Sequence, residues 1–178
     1  SALALKAAAS LPNDFTVHLG DLVQEYPETE FFVEAINKSL QQIKASGLNP
    51  YYVPGNHDVG DKPDPAMPTH QTNKNNIDHF QEHIGRHYYA FDCGPLRGIS
   101  LNSQIFNTPY ANLQRLFLEQ ELAACTKNRQ RVAIFLHLPP YLYEPDESSW
   151  GHYDNIDEPD RSWLLDLLTK HNIELVFC

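Results

Sequence analysis

Three short clusters in the sequence bring together side chains that bind cations and move protons: Gly20-Asp21, Gly55-Asn56-His57-Asp58, and His137. They offer hard oxygen and borderline nitrogen donors, with no thiolate among them. That set suits Mn, Fe, Zn or Mg better than it suits a structural zinc site, which favours cysteine. Read singly, each cluster has a plainer explanation. Gly-Asp after an apolar run is ordinary turn chemistry, and a single histidine is commonly a hydrogen-bonded core residue. Turn chemistry explains Gly55 and Asn56 but not His57 and Asp58 beside them. The conjunction carries the argument, because each cluster directly follows a stretch that reads as a strand.

Those strands are Phe15 to Leu19, Tyr51 to Val53 and Val132 to Leu136. Helical patterns fall between them. Ser1 to Ser10 is alanine-rich with Lys6 in its middle and reads as a helix rather than a targeting segment. Pro27 with Glu28 and Glu30 suits a helix start; Phe32, Ile36, Leu40 and Ile43 form its apolar stripe, and Gly47 its stop. The residues from Gly55 to Asn75 read as a long irregular stretch, and Asn76 to Ile84 as a short helix. His87 to Asp92 and Arg97 to Asn102 predict a hairpin around Cys93-Gly94-Pro95. Ala111 to Lys127 places Leu118, Leu122 and Cys125 on one helical face. Asp157-Glu158-Pro159 opens a last helix with Trp163, Leu164, Leu167 and Leu168, before a final strand at Ile173 to Phe177. Alternating helices and strands with one hairpin predict an α/β fold, mixed β-sheet layers flanked by helices. Ligands in such sheets gather beyond the carboxyl ends of the strands, where the three clusters lie.

The chain has 178 residues, 42% of them hydrophobic, and reads as one globular domain over 1–178. Thirteen basic residues against 23 acidic ones give a formal net charge of −10. A surface that tracks phosphates needs the opposite sign, so nucleic acid is excluded as a general partner. No apolar run approaches the roughly 20 residues of a membrane span, so no membrane partner is expected. Cys93, Cys125 and Cys178 form no Cys-x-x-Cys pair and are odd in number, which favours a reducing, cytoplasmic setting.

Gly20-Asp21-Leu22-Val23, then Gly55-Asn56-His57-Asp58, then His137 ahead of Pro139 and Pro140 resembles the calcineurin-like metallophosphoesterase superfamily over essentially the whole chain. The family pattern runs Asp-x-His, Gly-Asp, Gly-Asn-His-Asp/Glu, a lone His, and Gly-His-x-His, and the middle three elements are present. Leu101 to Gln104 and the loop from His137 to Tyr141 look most like small single-domain members reported as protein phosphatases. Because the outer two elements are absent, the chain is expected to lack its first strand and C-terminal part, and to hold metals poorly as it stands.

The resemblance implies a metal-dependent phosphoester hydrolase with two divalent ions, acting on a phosphorylated small molecule or phosphoprotein. In that reading Asp21 bridges two ions about 3.5–4 Å apart. Asn56 ligates one of them through its amide oxygen, His137 binds the same ion through a ring nitrogen, and a metal-bridging hydroxide attacks phosphorus in line. His57 is the implied general acid, with Asp58 as its orienting partner. The alternative is a non-catalytic scaffold of the same fold that binds a protein partner through a degenerate metal face; intact Asn56, His57 and Asp58 speak against it. Trp150, His152, Tyr153 and Asn155 are candidates for the rim of the substrate cleft. His79 and His83, at i and i+4 on a helix, read as a solvated face because no acid or third histidine is suitably placed beside them. His18 reads as structural.

Overall fold

Strand β5 (Arg131–Phe135) carries consecutive Val, Ala, Ile and Phe, and a strand that is apolar on both faces needs cover on both. The computed structural model, which describes residues 2–65, 68–148 and 154–178, supplies that cover in layers. β5 sits inside a four-stranded sheet of order β3-β4-β5-β6, formed with β3 (Tyr89–Cys93), β4 (Leu96–Ser100) and β6 (Leu175–Phe177). β3 and β4 are an antiparallel hairpin, while β4, β5 and β6 run parallel, so the sheet is mixed.

Val132 and Ile134 on one face pack with Leu118, Leu122 and Cys125 of α5 (Ala111–Asn128) and Leu164, Leu167 and Leu168 of α6 (Asp160–Lys170). Ala133 and Phe135 on the other face meet a second sheet, the parallel pair β1 (Val17–His18) and β2 (Tyr51–Tyr52). Aromatic rings fill the space between the sheets. Phe15 makes edge contacts with Tyr51, Phe91 and Phe135, and Tyr51 stacks on Phe91 at 3.6 Å. Gly98 lies opposite Phe91 across the hairpin, and a Cβ there would come within 2.2 Å of the phenyl ring. Helix α2 (Phe32–Ala45) covers the remaining side of the small sheet through Phe32, Ile36 and Ile43, with Tyr52 packed against them. The architecture is therefore α/β, two mixed and parallel sheet layers flanked by helices. No helix among the described residues is long and apolar enough to cross a membrane.

Most expected elements form within a few residues of their sequence-derived bounds. One starts late: α2 opens at Phe32, not Pro27, because the amide and hydroxyl of Thr29 both donate to the Tyr26 carbonyl, closing a turn first. The stretch expected to be irregular contains one helical turn, α3 (Asn56–Val59), and a bridge pairing Asp61 with Gln71. It leads into α4 (Lys74–His83), whose first turn is capped by the Asn73 side chain accepting from the Asn76 amide.

His87, ahead of β3, carries a pH dependence of folding. Burial pushes its pKa down from 6.5 to about 4, with Asp78 opposing the shift. Asn102 Nδ2 donates to the His87 Nδ1 at 3.3 Å, which suits the neutral ring. The folded-state value lies below the unfolded one, so the unfolded chain takes the proton first as the medium is acidified. The stability that depends on neutral His87 is complete above about pH 6.5 and is lost as pH falls through about 4. His87→Gln should flatten the fall in urea midpoint between pH 7 and about 4.5. Identical pH profiles for variant and wild type would refute the assignment.

Candidate metal centre

The two parallel strands β1 and β2 end on the same side of their sheet, and the pairing continues one step further as the Val53 amide donates to the His18 carbonyl at 2.9 Å. β1 therefore delivers Gly20-Asp21, and β2 delivers Gly55 and α3, to one edge. β5 of the other sheet brings His137 to the same place, where its Nδ1 meets the Leu19 carbonyl at 2.8 Å. The glycines are what let the three strand ends touch. A Cβ on Gly20, whose φ is +100°, would lie 2.6 Å from His137 Nδ1 and 2.7 Å from the Gly55 Cα. A Cβ on Gly55 would lie 2.2 Å from Asp21 Oδ1.

Asp58 ties the loops together. One of its oxygens accepts from the amides of Asp21 and Gly55, both at 2.8 Å, and the other accepts from Leu22 at 3.0 Å. The residue is 1% exposed. Burial pushes its carboxyl up to about 6, against the downward pull of the Gly55, Leu22 and Asp21 amides, with the Asp21 charge adding to the rise. The expected pairing of Asp58 with the His57 ring is corrected by this geometry, since both oxygens are held by main-chain amides. The His57 ring is oriented by a different group, the Gln24 carbonyl, which accepts from its Nδ1 at 2.5 Å. The proton on Nδ1 leaves Nε2 as the nitrogen able to gain or give one. The His57 ring also packs against Tyr26 at 4.4 Å with the planes tilted by 30°, and Tyr26 stacks in turn with His70 at 4.3 Å.

Asn56 is held in one orientation. Its Nδ2 donates to Asp61 Oδ1 at 2.9 Å and lies 3.4 Å from the Tyr26 hydroxyl, which itself donates to the Asp61 carboxylate. Its Oδ1 consequently turns towards His137 Nε2, 3.0 Å away. Because the His137 Nδ1 donates to a carbonyl, the neutral ring presents a lone pair on Nε2. Two acceptors then face each other at hydrogen-bond distance, an arrangement relieved by a cation or by a proton on the imidazole. Asp21 Oδ1 lies 3.6 Å from the same Nε2 and accepts from the His57 amide at 3.0 Å. Asp21, Asp58 and Asp61 pair with no lysine or arginine among the described residues. The donor chemistry fits a divalent ion: carboxylate, amide oxygen and imidazole approach one another at the sheet edge.

Asp21, Asn56, His57 and His137 thus come together as a group. Of the rim candidates, Trp150, His152 and Tyr153 lie outside the described residues. Asn155 is corrected from substrate contact to internal brace: it is fully buried, its side chain donating to Glu147 and its carbonyl accepting from Lys62. Three residues of the site escaped sequence reasoning: Tyr26, Asp61 and Gln24. Only Asp61 left a trace, an acid just past the Gly-Asn-His-Asp turn; Gln24 acts through its backbone and leaves none. The reading of His79 and His83 as lacking an acid is also corrected, since the Glu82 carboxylate lies within ligand reach of both.

The calcineurin-like phosphoesterase family model matches residues 2–178. Among curated relatives, the chain is 27% identical over 173 residues to the serine/threonine-protein phosphatase CPPED1 of Danio rerio, covering 92% of this chain and 52% of that protein. It is 28% identical over 171 residues to the protein of the same name from Pongo abelii, covering 92% and 51%. The chain therefore spans about half the length of these relatives. A purple acid phosphatase, PPD1, from yellow lupin (Lupinus luteus) seeds shares the fold with a TM-score of 0.60 at 19% identity, over 97% of this chain and 31% of that one. A sheet-end cluster built on Gly-Asp, Gly-Asn-His-Asp and a lone histidine, in this fold and with a family match along the whole chain, settles the kinship: the chain belongs to the calcineurin-like phosphoesterase family.

Proposed function

We propose that the protein is a metal-dependent phosphoester hydrolase, a phosphatase, and that its substrates are phosphoproteins. The observation that carries the reading is the convergence of Asp21 Oδ1, Asn56 Oδ1 and His137 Nε2 on one point, with His57 anchored beside them. The names of the curated relatives support the phosphoprotein substrate.

Asp21, Asn56 and His137 would hold divalent metal, with Asp21 as the residue able to share its carboxylate between two ions. When bound, such ions supply Lewis acidity towards phosphoryl oxygens and bring the pKa of attacking water towards neutrality. The chain's own groups do the rest. Asn56 contributes a neutral oxygen, locked by Asp61, that adds no charge to the ion it holds. His137 is aimed by the Leu19 carbonyl. His57, with Nδ1–H on the Gln24 carbonyl, carries a second proton on Nε2 in its charged form and gives it to the leaving oxygen of the ester. Asp58 is a positioning residue: it holds the Asp21 amide and the start of α3 in one frame, and so sets the distance between the Asp21 carboxylate and His57.

The test is turnover of p-nitrophenyl phosphate and of a phosphoserine peptide by the protein in the form its gene encodes. Activity is expected to vanish with EDTA and return with Mn²⁺. Metal bound at Asp21, Asn56 and His137 without turnover of either substrate would overturn the hydrolase reading in favour of a scaffold.

A further inference from the structure

Helix α4 holds a second set of donors that shares no residue with the strand-end centre. His79, Glu82 and His83 occupy positions i, i+3 and i+4, which lie on one face of a helix. One donor atom from each lies within 4.8 Å of the other two. The two imidazole centroids are 5.4 Å apart with their planes inclined at 69°, so the rings approach without stacking on each other.

The face is also prearranged. The ring of His79 lies parallel to that of Phe32, at 6.1 Å and 10°, and Phe32 is a fully buried core residue at the start of α2. The other side of α4 is anchored by buried Ile77 and Phe80. Asp78, the nearest other acid on the helix, is paired with Lys74 at 2.5 Å and so is not drawn into the group. Glu82 is left as the carboxylate beside the two imidazoles.

We infer that His79, Glu82 and His83 form a second metal site, one that takes a borderline divalent ion of the Zn²⁺ or Cu²⁺ kind. Two imidazoles and one carboxylate select such ions over Mg²⁺ and Ca²⁺, which require mainly oxygen ligands. No further His, Cys, Asp or Glu joins the three among the described residues, so water completes the coordination. The order His-x-x-Glu-His on a helix occurs in one class of zinc peptidases, where the glutamate serves as the base. Here its carboxylate is within reach as a ligand. All three donors lie on α4, so an ion bound here staples the last turn of that helix, which the His79 ring already holds against Phe32 of α2. The site stands whether or not the protein hydrolyses phosphoesters.

Zinc titration calorimetry on three forms tests it: the wild-type chain, the same chain with His83→Gln, and the same chain with Asp21→Asn and His137→Gln. One equivalent of Zn²⁺ should persist in the strand-end double variant and weaken by roughly tenfold or more in His83→Gln. In the wild type, the imidazole Cε1–H resonances of His79 and His83 should shift together at the first site filled on α4, a readout that needs no substitution. Unchanged zinc binding in His83→Gln, or imidazole resonances of His79 and His83 that ignore saturating Zn²⁺, would overturn the inference.

Discussion

Asp58→Ala is expected to lower the stability of the protein by about 3–5 kcal/mol, among the largest effects of any single substitution at this centre. Three amides would lose their acceptor, those of Leu22 and Gly55 in buried positions and that of Asp21 in a part-buried one. An unmade hydrogen bond at a buried donor costs about 1–3 kcal/mol, and three together exceed what relaxation of two loops can recover. Chemical denaturation gives the number directly. Asp58→Asn separates shape from charge, because it keeps the volume while offering a single acceptor oxygen, and its loss should fall between those of wild type and alanine. A midpoint for Asp58→Ala close to that of the wild type would show that the carboxylate does not hold the loops. Metal affinity is expected to fall alongside stability, since Asp21 is carried on one of the loops that Asp58 fastens.

His57→Ala is expected to act in the opposite pattern, with large loss of turnover and little loss of fold or metal. General acid catalysis contributes about 10²–10⁴-fold, so kcat for p-nitrophenyl phosphate should drop within that range. The ring is half-buried and its fixed contacts are the Gln24 carbonyl and the Tyr26 face, neither of which bears on the strand pairing. Its backbone amide, which caps Asp21 Oδ1, survives the substitution. The limb of the pH–rate profile that needs a protonated acid should disappear in the variant. Unchanged kcat would remove His57 from the mechanism, and loss of metal in step with turnover would make it a structural residue.

Much of the fold was legible because the signals are local. The i, i+4 stripe of α2, the doubly apolar run of β5 and the Gly-Pro turn between β3 and β4 are read from neighbours in the chain, and each formed close to where it was expected. The placement of the three clusters at strand ends was legible for the same reason: residue type and position after a strand are both sequence properties. The start of α2 was misjudged because the turn that delays it depends on Thr29 reaching Tyr26, a competition between two acceptable local structures.

Residue type and order along the chain place Asp21, then Asn56, His57 and Asp58, then His137, each just past an apolar run that forms a strand. Which of their atoms meet follows from packing. Asp58 sits next to His57 in sequence, yet its carboxylate holds amides 36 and 37 residues upstream, because α3 turns it inward while the ring faces the Gln24 carbonyl. Asn56 and His137, 81 residues apart, face each other only because two different sheets end at one edge. Such contacts depend on packing direction, which a one-dimensional pattern does not carry.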